Sequence, residues 1–172
     1  MKTLRWFCAA ALAVAVGVPS ARAQEPPKPG PEHEQLKKLE GTWEATMKYM
    51  GQESKGTMTY KMEVGGLWLT SNYEGDFAGA KFYGKGFDSY DAGKKKFVSV
   101  WVDSMITTPM FMEGTYDKEK HTLTMTGEGP SPAGPTKFKS VTHFVDDNNI
   151  QMDMYMGDAK DPGFTITYMR KK

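Results

Sequence analysis

The sequence carries little thiol or imidazole chemistry, with one cysteine and three histidines in 172 residues. The cysteine, Cys8, lies inside an N-terminal apolar run. A domain downstream of it has no disulfide to rely on and must be held by its core. That run, Trp6 to Val18, has 13 residues, short of the roughly 20 that a membrane-spanning helix needs. Charge of one sign is missing as well, with 22 Lys and Arg against 21 Asp and Glu. There is no nucleophile elbow, no His-Glu-x-x-His run and no phosphate loop. Gly84-Lys-Gly86 is too short and wrongly placed for a dinucleotide fingerprint, which must link a strand to a helix. These glycines are expected instead to let a strand bend around a barrel corner.

What is present at the N-terminus reads as an export signal. Lys2 and Arg5 supply a positive start, the apolar run follows, and Pro19 and Ser20 break it. Ala21-Arg22-Ala23 then matches the small-x-small pattern of a cleavage site, so residues 1–23 are expected to leave and Gln24 to begin the mature chain. Cys8 precedes most of the apolar run, which is the wrong place for a lipoprotein cysteine. A secreted or periplasmic address follows, with no stable membrane insertion after cleavage. Losing Lys2, Arg5 and Arg22 leaves 19 basic against 21 acidic residues, a formal charge of −2. No basic excess remains to neutralise phosphates, which argues against a nucleic-acid partner.

Residues 24–31 hold four prolines and one glycine and are expected to be an extended leader. Residues 32–39 are the one convincing helical stretch. Acids come early and lysines late, which suits the helix dipole, and Leu36 and Leu39 are spaced to face one core. Gly41 is expected to stop it.

From Thr42 onward the period changes to two. Met58, Tyr60, Met62 and Val64 alternate with polar residues. Ile150, Met152, Met154 and Met156 do the same, as do Phe164, Ile166 and Tyr168. This is the signature of strands with one face in a core and one in water. Turn residues recur between the runs and divide the region into about ten strands. No stretch is left for crossover helices, so neighbours must pair antiparallel through hairpins. Closure removes the exposed edges most simply, which predicts for residues 32–172 an all-β, up-and-down antiparallel barrel with one short N-terminal helix. A two-sheet sandwich is the alternative.

Gly41-Thr42-Trp43 follows the short helix at the start of the first strand. In this it resembles the calycins, the group of lipocalins and fatty-acid-binding proteins. The resemblance implies that Trp43 packs across the closed end of the barrel and that a basic residue of the last strand lies over it. Arg170 shares the inward parity of Phe164, Ile166 and Tyr168 and fits that part by cation–π stacking. Leu39-Glu-Gly-Thr-Trp43, Tyr83-Gly-Lys-Gly-Phe87, Trp101-Val-Asp-Ser-Met105 and Glu113-Gly-Thr-Tyr116 resemble an uncharacterised family of bacterial domains of unknown function. That resemblance covers nearly all of the mature chain and implies a calycin-like barrel without bringing an activity.

Methionine is abundant, at 13 residues. As a flexible, polarizable filler it suits an irregular barrel interior or an adaptable apolar pocket. Clustered thioethers also suit Cu(I), but such sites want a histidine or cysteine, and none lies in these clusters. His33, in the helix, and His121, at a turn, are expected to be solvated. His143 is the one candidate for a haem ligand, and a hydrogen-bonded wall residue is the plainer reading. Asp103 shares the parity of Phe97, Trp101 and Met105. A buried carboxylate there, partnered by Tyr60, Tyr168 or Arg170, could act as a general acid or base; a structural aspartate near the rim is the plainer reading. The expectation is an exported binding barrel for an apolar small molecule, with no resident cofactor or metal. Met58, Tyr60, Met62, Trp101, Asp103, Met152, Met154 and Tyr168 are its expected ligand-facing residues, and Trp43 and Arg170 its closure. A ligand-free structural or interaction protein of the cell envelope is the alternative, and an enzyme built on Asp103 ranks below both.

Overall fold

The computed structural model describes residues 25–77, 79–131 and 134–172. The export signal expected over residues 1–23 lies outside them. Alternation shapes the first strand, β1 (Gly41–Tyr49), where Trp43, Ala45 and Met47 are buried between exposed or half-buried neighbours. Met50 and Gly51, both at positive φ (49° and 76°), then reverse the chain in two residues, and Tyr49 pairs with Gln52. Positive φ at both central positions matches the twist of a tight hairpin.

The remaining strands are β2 (Gln52–Glu63), β3 (Trp68–Phe77), β4 (Ala80–Asp91), β5 (Lys96–Asp103), β6 (Met110–Asp117), β7 (Thr122–Gly129), β8 (Thr136–Asp146), β9 (Asn149–Met156) and β10 (Phe164–Arg170). Each pairs antiparallel with the next, and β10 pairs with β1 from Trp43 opposite Arg170 to Tyr49 opposite Phe164. The result is a closed, ten-stranded, up-and-down antiparallel barrel with no free edge. A sandwich is ruled out by that closure.

The helix α1 spans Pro31–Lys37, one residue earlier at its start than the sequence suggests and ending before Leu39. Proline is at home in the first helical turn, where its missing N–H would be unbonded anyway. Gly41 is not the stop. The chain leaves the helix through Lys38, the Leu39 amide bonds to Leu36 O at 2.9 Å, and Gly41 opens β1 at a φ of 119°. His33 is a second correction, because it is buried rather than solvated. Its Nδ1 accepts the Gly30 amide at 3.1 Å, and its ring meets Tyr90 edge-on at 6.4 Å.

Helix α1 packs on β2, β3 and β4. Because the strands alternate in direction, the helix, the start of β1 and the end of β10 lie at one end of the barrel. Leu36 enters the core there beside Leu69 and Phe97. Trp43 is 1% exposed and donates its indole N–H to Leu39 O at 2.8 Å. Arg170 places its guanidinium carbon 4.0 Å from the centre of the Trp43 ring. It also donates to Lys38 O at 2.6 Å, to Asp147 O at 2.9 Å and to Glu40 O. This end is stoppered.

Candidate functional site

Above the stopper, the inward faces of the strands enclose a chamber of about 440 Å³. Native interiors pack closely and hold few voids larger than a water molecule, whereas ligand pockets run from about 300 to 1,000 Å³. Methionines line much of it, including Met47, Met58, Met112, Met125, Met152 and Met154. Aromatic side chains, among them Tyr73, Phe82, Trp101, Phe138 and Phe164, supply most of the rest. Its walls continue to Met105, Ile106 and Pro130, in the loops at the end opposite α1. Met105 is 58% exposed there, and Ile106 is 36% exposed. The chamber therefore reaches toward the loop end.

Two glycines fit the barrel around one ring. Gly84 and Gly86 occupy successive inward positions on β4. A Cβ at Gly84 would lie 2.1 Å from Trp101 Cζ2, and one at Gly86 would lie 2.4 Å from Ser71 Oγ and 3.2 Å from Trp101 Cε3. The Trp101 indole lies on this bare stretch of wall. The Tyr83-Gly-Lys-Gly-Phe87 motif is thus a seat for Trp101, and not only a place where a strand can bend.

The carboxylates of the chamber fall at two levels. Asp103, at the far end of β5, accepts the Trp101 indole N–H at 3.1 Å and the Met105 amide at 2.8 Å. It fixes Trp101 and the first turn of the β5–β6 loop. The second level lies toward α1, where Tyr60, Ser71, Asp88, Ser99 and Tyr168 face inward. Asp88 pairs across the strands with Ser99, whose hydroxyl hydrogen-bonds to it. The partly exposed surface of Asp88 faces the chamber rather than bulk solvent, so its carboxylate is desolvated. Burial pushes Asp88 up to about 6, and the Ser99 hydrogen bond offsets part of that rise. Burial, then the neighbouring Tyr168 and Asp88, hold the Tyr60 hydroxyl well above its ordinary value. Tyr168 is raised by burial first, then by Tyr73 and Asp88.

Of the residues expected to face a ligand, Met58, Tyr60, Trp101, Asp103, Met152, Met154 and Tyr168 line the chamber. Met62 does not. Opposite Leu69, it packs against the core beneath α1. Tyr60 and Tyr168 neighbour Asp88 rather than Asp103. His143 points away from the chamber, on the outer face of β8. Its Nδ1 lies 3.3 Å from Thr122 Oγ1 and its Nε2 lies 3.9 Å from Asp153. An axial ligand for a haem inside the barrel cannot come from there. Asp153 accepts hydrogen bonds from Thr165 and Gln151 on that same outer face. Among the described residues, no three or more His, Cys, Asp or Glu side chains gather as a metal site would need.

Sequence reasoning passed over Asp88. It lies on the inward face of β4 with Phe82 and Tyr90, so parity could have found it. Gly84 and Gly86 leave the two intervening inward positions without side chains and hide the alternation.

Fold and site together define a closed antiparallel barrel with a stoppered end and an interior chamber. The chain belongs to the family described as a protein of unknown function, DUF1579, whose model matches residues 28–170. No curated protein matches the chain. Among solved structures it is similar to a redesigned β-barrel at 19% identity, with 80% of this chain and 95% of that one covered and a TM-score of 0.45. It is also similar to a redesigned β-barrel, mFAP1, bound to DFHBI, at 19% identity, with 78% of this chain and 97% of that one covered and a TM-score of 0.44.

Proposed function

We propose that this protein is an exported binding barrel whose interior takes one apolar small molecule. The observation that carries the reading is the chamber of about 440 Å³, walled by methionine and aromatic side chains. Methionine walls can re-pack around ligands of different shape, and aromatic rings supply large contact area at little entropic cost. Leaving such apolar surface unfilled forfeits dispersion contacts that a ligand would restore. A ligand-free envelope protein would instead be stabilised by a filled interior. Export rests on the N-terminal segment, and the N-terminal residue of the protein made in cells that carry out export tests it; Gln24 is expected.

Binding is tested with the neutral fluorophore N-phenyl-1-naphthylamine, titrated into purified protein. The reading expects a saturable rise in probe emission at one site per chain, with concurrent quenching of Trp101. In Trp101→Phe the probe should still bind with a smaller fall in tryptophan emission, because Trp101 lines the chamber and Trp43 and Trp68 do not. An absence of saturable binding would contradict the reading.

A further inference from the structure

The charge inventory of the chamber narrows the ligand class. Among the described residues, its lining includes two carboxylates, Asp88 and Asp103, and no Lys, Arg or His. The two differ in availability. Asp103 near the loop end is engaged by the Trp101 indole and the Met105 amide. Asp88 lies deeper, has the Ser99 hydroxyl as neighbour, and forms no ion pair with any described residue. Buried charges are ordinarily paired, because desolvation without a counter-charge is costly. A ligand carboxylate would meet no cation here and would bring a second negative charge beside the first. A protonated amine would meet a carboxylate, two tyrosine hydroxyls and aromatic faces that attract cations.

Resting on the binding-barrel reading above, we propose that the chamber is selective for a hydrophobic amine. Its apolar body lies among the methionines and Trp101, and its ammonium group meets Asp88 between Tyr60 and Tyr168. The raised proton affinity of Asp88 agrees with this, since an arriving cation would favour the ionised carboxylate again. The titratable groups that share the chamber with Asp88 are Tyr49 on β1, Tyr60 on β2, Tyr73 on β3, Asp103 on β5 and Tyr168 on β10. None supplies a positive charge.

The test compares decylamine, decanol and decanoate, each below its critical micelle concentration, as competitors of N-phenyl-1-naphthylamine at pH 7.5. The wild-type protein and Asp88→Asn are titrated in parallel. The proposal expects decylamine to bind about tenfold or more tighter than decanol, and decanoate to bind weakest. In Asp88→Asn the ratio of amine affinity to decanol affinity should fall toward one. Decanol or decanoate matching the amine in the wild type would overturn the selectivity and leave the binding barrel standing. An amine preference that survives in Asp88→Asn would remove Asp88 from the role. Failure of all three compounds and of the fluorophore to bind would overturn the binding barrel, and the selectivity with it.

Discussion

Arg170 covers Trp43: its guanidinium carbon lies 4.0 Å from the centre of the tryptophan ring, while its nitrogens hold the carbonyls of Lys38 and Glu40. One side chain of the last strand thus ties together the first strand, the turn after α1 and the barrel's stoppered end. Trp43→Ala should destabilise by about 3–5 kcal/mol, the range for a buried aromatic cut to alanine. Arg170→Ala should cost about 2 kcal/mol through the lost stacking and the orphaned carbonyls. Urea denaturation measures both, and their double mutant should lose less than the sum of the two. A loss below about 1 kcal/mol for Trp43→Ala would mean that the ring is not the stopper.

Gly84→Ala should cost about 2 kcal/mol or more, because its Cβ would fall 2.1 Å from Trp101 Cζ2. In a Trp101→Leu background the same substitution should be far milder. Chemical denaturation of the four proteins of the cycle gives the coupling. If Gly84→Ala cost the same in both backgrounds, the glycine would be serving the bend of β4 and not the indole.

Asp88 sets a pH dependence with a definite sign. Its folded proton affinity, about 6, is raised above the ordinary 3.8, so between those values the folded protein binds more protons than the unfolded chain. Its contribution to stability is therefore fully present below about pH 4 and is lost as pH rises through 6. Asp88→Asn should remove that loss and make the unliganded protein more stable at pH 7, by about 3 kcal/mol. Thermal melts from pH 4 to 8 decide it. A variant less stable than the wild type at pH 7 would show that the carboxylate already has a stabilising partner.

Ser140, buried on β8, lines the chamber wall. Ser140→Phe should place a ring in the void. Binding of N-phenyl-1-naphthylamine should weaken by about tenfold or more, with folding stability unchanged or slightly raised. Unchanged binding would put the fluorophore somewhere other than the chamber.

The strands were legible in the sequence because a half-buried strand declares itself by alternation, as Ile150, Met152 and Met154 do on β9. Closure followed from the need to satisfy strand edges, and Gly41-Thr42-Trp43 pointed to the stoppered end. The chamber's depth was less legible. Parity says which side chains face inward but not how far along the barrel each lies, so Met62 reads like Met58 and Tyr60 although it packs beneath α1 opposite Leu69. Parity also assumes that an inward position carries a side chain. Gly84 and Gly86 broke that assumption and concealed Asp88. The burial of His33 is hidden for another reason: a polar residue in a short helix reads as solvated, and nothing local in the sequence shows that the preceding backbone, here the Gly30 amide, turns back to it.

The measurement that bears most directly on the chamber as a binding site is native mass spectrometry of the protein isolated from cells that make it with its own N-terminal segment. The same sample is then denatured to release whatever accompanies it. The account predicts a mature chain beginning at Gln24 that carries one non-covalent organic molecule, apolar in body and basic in one group, lost on denaturation. A bare polypeptide mass that also takes up neither N-phenyl-1-naphthylamine nor decylamine would contradict it.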